Sequence, residues 1–199
     1  PTDDAVKISS ISMIVSPEAQ LLQLLEIAPQ IKKIYVIYNP DNDEWLIELA
    51  KKSLMDSEIK LQAIASTGLK ESASAYQELI ENNKLGDTDA LWILQGDKAI
   101  SENSIFSRVL QQAWEKHFVV FSANPAHVKR GALFATYPNN IKLGEKLGKT
   151  IINARIGDNA HVVPLNDISV AFNSRTSEHL KLNINRSKLK SFDLVFPNR

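Results

Sequence analysis

Short apolar runs of strand length alternate with amphipathic stretches of helical period along most of this chain, and that alternation limits the fold more than any motif does. Residues 33–38, 61–64, 90–94, 118–121, 131–136 and 169–172 read as strands. Between them, apolar residues recur on one helical face, as in Leu21, Leu22, Leu24, Leu25 and Ala28, or Ala73, Tyr76, Leu79 and Ile80. Strands that are apolar throughout, each followed by an amphipathic helix, build a parallel sheet covered on both faces. Right-handed crossovers make it doubly wound. The expected fold is therefore α/β, a single Rossmann-like lobe around a mostly parallel sheet of about five to six strands.

Helix boundaries carry their own chemistry. Ser16-Pro17-Glu18 combines an N-cap serine, a proline at the first helical position and an acid that suits the helix dipole. Pro29 ends that helix. Asn39-Pro40 stops the run at 33–38, and Asp41 or Asn42 is read as the cap of the next helix, which runs through Trp45, Leu46, Leu49, Ala50 and Leu54. Further helices are expected over residues 70–83, 103–116, 140–155 and 174–182, with a turn at Gly157-Asp158. Residues 1–15 are read as an N-terminal extension of the single domain, and residues 162–199 as a segment packing back on the lobe.

Ligands on doubly wound sheets sit outside the carboxyl ends of the strands, near the point where strand order reverses. That rule selects Tyr38 and Asn39, then Ser66 and Thr67, then Gln95, Gly96 and Asp97, then Ser122 and Asn124, and last Tyr137. Tyr38, Asn39, Gln95, Asp97, Ser122, Asn124 and Tyr137 form the candidate ligand-binding set. Neutral hydrogen-bonding groups dominate it, with two phenols and one acid, which suits holding a small polar or zwitterionic solute. Structural readings stand beside these. Asn39-Pro40 is also a turn, Asp97 also caps a following helix, and Tyr137 also packs as a hinge residue.

Other classes are disfavoured. Charge balances at 23 against 23, so nothing directs the chain to nucleic acid. The first 30 residues carry a net −3 and residues 181–199 a net +4, which is read as solvated surface. No cysteine is present, which removes disulfides, thiolate metal sites and cysteine nucleophiles. His117, His127, His161 and His179 show no metal-ligand spacing, although His127 beside Asn124 stands near the expected cleft mouth. There is no Gly-x-Gly-x-x-Gly, Walker loop or Gly-x-Ser-x-Gly elbow. A receiver domain would need an acid where Tyr38-Asn39 stand. No enzymatic activity, cofactor or metal is expected. Trp92 is read as core, Trp45 and Trp114 as helix-face packing, and the Gly144/Gly148 pair as a close helix-to-sheet contact.

Several segments resemble a known family in its own order. Ser16-Pro17-Glu18-Ala19-Gln20-Leu21 with Ala28-Pro29 is similar to a helix that enters the second lobe of the ABC transporter substrate-binding protein family. Lys33-Ile34-Tyr35-Val36-Ile37-Tyr38-Asn39-Pro40 is similar to that family's strand ending in tyrosine-asparagine. Val128-Lys129-Arg130-Gly131-Ala132-Leu133, then Leu143-Gly144 with Ala154-Arg155-Ile156-Gly157, then Phe172-Asn173-Ser174-Arg175-Thr176, resemble its later segments. In one place the chain departs: Gly96-Asp97-Lys98 stands where the family often has threonine-aspartate-asparagine.

The resemblance covers the family's C-terminal lobe, with no first lobe ahead of it. It implies a non-enzymatic, exported or periplasmic lobe that binds a small polar solute such as an amino acid, for ABC-type uptake or sensing. Implied partners are that solute and a membrane transporter or sensor protein. The alternative is a periplasmic interaction or sensor-accessory module, or a homodimer, that has lost solute binding. A lobe trimmed from a longer protein is the third reading.

Overall fold

The computed structural model describes residues 10–82, 85–101, 103–153 and 162–197. The expected turn at Gly157-Asp158, the helix end at Ala154-Arg155-Ile156-Gly157 and His161 lie outside these residues.

Nine strands and nine helices are described: β1 Ser10–Val15, α1 Pro17–Ile27, β2 Lys33–Tyr38, α2 Pro40–Ser53, β3 Lys60–Ala65, α3 Leu69–Asn82, β4 Asp89–Ile93, α4 Lys98–Ser101, α5 Asn103–Lys116, β5 Val119–Ser122, α6 Pro125–Arg130, β6 Phe134–Pro138, α7 Asn140–Asn153, β7 Val162–Leu165, β8 Ile168–Asn173, α8 Ser174–His179, α9 Arg186–Lys190 and β9 Leu194–Phe196. Seven strands form the main sheet in the order β3-β2-β4-β5-β6-β8-β9. All neighbours pair parallel except β6 and β8, which run antiparallel.

The doubly wound α/β reading holds, and the sheet is wider than expected. The added strand is β9, a three-residue piece beside β8 that is too short to stand out in the sequence. β1 and β7 make a separate two-stranded parallel ladder, with Ser10 opposite Val162 and Ile11 opposite Val163.

Period-two alternation with both faces covered explains the apolar runs. Ile34, Val36, Trp92, Phe121 and Phe134 face one core with Leu21, Leu24 and Ile47 from α1 and α2. Tyr35, Ile37, Leu91, Ile93 and Val120 face the other with Tyr76, Leu79, Phe106 and Val109 from α3 and α5. Rings of neighbouring strands stack across the first face, Trp92 on Phe121 at 6.1 Å and Phe121 on Phe134 at 5.2 Å. Trp92 is fully buried, as expected, and its indole N–H donates to Gln20 Oε1 at 3.1 Å.

Several local readings need correction. Asn39, not Asp41 or Asn42, caps α2: its Oδ1 accepts from Asp41 N, and Pro40, with no N–H to satisfy, takes the first helical position. Helices α4, α6 and α9 were not anticipated; α6 begins in the same way, with Asn124 as cap and Pro125 next. Gly144 and Gly148 do not mark a close contact. A Cβ added at either would meet no described atom within 4 Å; Gly144 is exposed and Gly148 partly so. Trp45 and Trp114 are each 41% exposed, so their packing is partial; Trp114 stacks on His179 at 3.5 Å.

Candidate functional site

The chain runs outward from β2 to β3, then returns across β2 to β4, so strand order reverses between β2 and β4. A cleft of about 420 Å³ opens there, at the carboxyl ends of β2, β3 and β4. Tyr38, Asn39, Asn42 and Asp43 line it from β2 and the first turn of α2. Ser66, Thr67 and Gly68 line it after β3, and Gln95, Gly96, Asp97 and Lys98 after β4. Gly96 has φ +82, a left-handed turn that favours glycine and re-aims the chain so that Asp97 can cap α4.

Asp97 is the most heavily engaged polar group of the cleft. Its Oδ1 accepts from Ala99 N at 2.9 Å and from Ile100 N at 3.3 Å, and its Oδ2 accepts from the Tyr76 hydroxyl at 2.6 Å. Asp97 thus caps α4 and also lines the cleft. Burial, then the Asp97 charge and the hydrogen bond to it, push the Tyr76 phenol well above its ordinary pKa, so Tyr76 stays a donor. Asp43 faces the same space and accepts from Asn39 N at 3.3 Å. Burial raises its carboxyl above the usual range against the lowering hydrogen bond from Asn39, and the Asp97 charge adds to the rise. Tyr38 is raised by desolvation first and then by its hydrogen bond to Glu44.

A second hollow of about 240 Å³ adjoins the first across the β4–α4 turn and is lined by Gln95, Gly96, Asp97, Asn124 and His127. Ser122 lies beneath it, 1% exposed; its Oγ accepts from Asn124 N at 3.1 Å and sits 2.7 Å from His127 Nδ1. Burial and the Arg130 charge hold His127 down to a pKa of about 4, so at neutral pH the ring is uncharged and Nδ1 shares a hydrogen bond with the Ser122 hydroxyl.

The expected ligand set is thus distributed. Tyr38, Asn39, Gln95 and Asp97 line the larger cleft. Asn124 lines the smaller hollow, and Ser122 supports that wall from below without lining either cavity. Tyr137 lies apart, half-buried at the end of β6 beside Val128, Ala135 and Ala171, in neither cavity. Asn42, Asp43, Ser72 and Lys98 also line the cleft and were not anticipated. Asp43 stands one residue beyond the capping-box position, so that spacing rule does not mark it, although its carboxylate accepts from the cap's N–H.

No described helix is long and apolar enough to cross a membrane. Among the described residues, no group of three or more His, Cys, Asp or Glu side chains is placed to hold a metal ion.

A doubly wound sheet with a solute-sized cleft at its switch point places the protein in the class of periplasmic-binding-protein-like lobes. The chain belongs to the ABC transporter substrate binding protein family, which matches it over residues 10–199. Solved structures share the fold. A conserved domain protein from Vibrio cholerae is 23% identical, with a TM-score of 0.66 over 94% of this chain and 62% of that one. An ABC domain from Streptococcus pneumoniae in complex with L-Trp is 21% identical, with a TM-score of 0.63 over 90% of this chain and 60% of that one. A ligand-free, open substrate-binding protein with adhesive properties from Clostridium difficile is 22% identical, with a TM-score of 0.67 over 96% of this chain and 63% of that one. This chain therefore spans between 60% and 63% of those three proteins. No match is found among curated proteins.

Proposed function

We propose that this lobe binds a small polar solute, an amino acid in the first instance, in the cleft between the carboxyl ends of β2, β3 and β4. The observation that carries the reading is the cleft itself: 420 Å³ at the switch point, with Asp43 and Asp97 facing hydroxyl and amide groups from three strand ends. The carboxylates of Asp43 and Asp97 receive the ammonium group. The Ser66 hydroxyl and the Lys98 ammonium are the complementary donors for a carboxylate. Tyr38 supplies an aromatic wall.

The activity is binding without chemistry, in service of ABC-type uptake or sensing by an exported protein that hands its solute to a membrane transporter or sensor. Family membership and the L-Trp complex of the pneumococcal neighbour support this reading. Native mass spectrometry of the protein as purified tests it. A retained small-solute mass that free amino acids displace is the expected result; a protein that stays empty throughout an amino-acid titration contradicts it.

A further inference from the structure

A second cavity, of about 630 Å³, lies at the other edge of the sheet. Gly131, just before β6, lines it together with Asn173 and Phe196 at the ends of β8 and β9. Because β8 and β9 run against β6, these ends lie at the amino edge of the parallel strands, away from the β2–β4 cleft. The volume is that of a small-molecule site.

Its lining is chemically one-sided. Lys129, Arg130 and Arg175 contribute three cations, and among the described residues no carboxylate lines the space. This is a local concentration in a chain whose net charge is zero. Among the described residues, neither Lys129 nor Arg175 has a carboxylate partner. The nearby Glu115 carboxylate instead accepts from Gln111 and Gln112 at 2.9 Å each. The remaining walls are mixed: Leu110, Trp114, Phe196 and Pro197 are apolar or aromatic, and Gln111, Asn173 and Thr176 are polar.

The rings also position the cations. The Arg175 guanidinium lies 5.7 Å from the Trp114 ring centroid, and His179 stacks on Trp114 at 3.5 Å. The Arg130 guanidinium lies 4.5 Å from the Phe106 centroid and donates to Ser107 Oγ at 3.1 Å. Side chains held in this way lose less freedom when a ligand arrives. Guanidinium groups bind oxyanions through paired N–H donors, and an exposed indole offers a flat face to a ring.

The geometry points to a second ligand site here, for a small organic oxyanion with a carboxylate or phosphoryl group on a flat, ring-bearing body. The oxyanion meets Arg175 and Lys129, and the ring lies against Trp114 and Phe196. The site is independent of the cleft, because the two share no lining residue.

Calorimetric titration of the protein with phenyl phosphate, benzoate and inorganic phosphate tests this. At least one aryl anion is expected to saturate a single site, about ten-fold more tightly than inorganic phosphate, which lacks the ring. Tighter phenyl phosphate marks a phosphoryl ligand and tighter benzoate a carboxylate; either supports the site. Lys129→Gln and Arg175→Gln are each expected to weaken the aryl anion about ten-fold, with Arg175→Lys in between. Asp97→Asn, at the opposite edge, is expected to leave it unchanged. Lys129 is exposed, so its variant reads the site even if an Arg175 variant misfolds. Three results overturn the proposal: no saturable aryl-anion binding, aryl binding no tighter than inorganic phosphate, or affinities indifferent to Lys129→Gln and Arg175→Gln.

Discussion

The Tyr76 hydroxyl, at the fully buried end of a side chain from α3, donates to Asp97 Oδ2 at 2.6 Å and so ties the second helical layer to the floor of the cleft. This contact and the α4 backbone donors hold Asp97 from two sides. Tyr76→Phe keeps the ring and removes only the donor. The loss is expected to cost about 1.5–3 kcal/mol of stability, the range for hydrogen bonds to charged groups, and to weaken solute binding as well. Chemical denaturation and titration of the same variant check both effects.

On the opposite face, Gln20 bridges the Trp92 indole N–H and the Val15 carbonyl, at 3.1 and 3.2 Å, inside the core. Gln20→Ala strands the buried indole donor and leaves a cavity. A loss of about 1–3 kcal/mol from the unpaired donor alone is expected, read as a lower denaturation midpoint.

Asn39 illustrates how one residue serves fold and site. Its Oδ1 caps α2 through Asp41 N, and its own N–H is accepted by Asp43. Asn39→Ala is expected to cost about 1 kcal/mol of stability by cap loss. Asn39→Asp retains a capping oxygen, so it is expected to recover most of that stability in a thermal melt.

The sequence displayed the sheet's central strands because each is apolar on both faces, and the switch-point rule then led from strand order to Tyr38, Asn39, Gln95 and Asp97. What stayed hidden depended on long-range contacts. β9 is three residues long and is a strand only because β8 lies beside it. His117 and His179 are far apart in sequence yet stack at 4.7 Å. Gly144 and Gly148 share a familiar spacing, but only the folded structure reveals that no described atom packs on them. Tyr137 follows a strand like the other site candidates, yet β6 lies two strands away from β2–β4 and adjoins the antiparallel β8.

The behaviour of His127 gives a pH test. An ordinary histidine titrates near 6.5, whereas burial and Arg130 hold the folded ring near 4. Between those values the unfolded chain binds more protons than the folded one, so stability falls as pH drops from 6.5 toward 4. His127→Gln removes this titration and can still hydrogen-bond to Ser122. Its denaturation midpoint is expected to depend less steeply on pH across the same interval than that of the natural protein.

The most direct test of the account is an NMR titration of the isotopically labelled protein with free amino acids, read at the backbone amides and repeated on Asp97→Asn. Saturable shifts confined to residues at the ends of β2, β3 and β4, among them Thr67, Gly96 and Lys98, are the predicted result. In Asp97→Asn the affinity is predicted to fall about ten-fold as the charge facing the ammonium is lost. Shifts that never saturate, or that cluster away from the β2–β4 cleft, would contradict it.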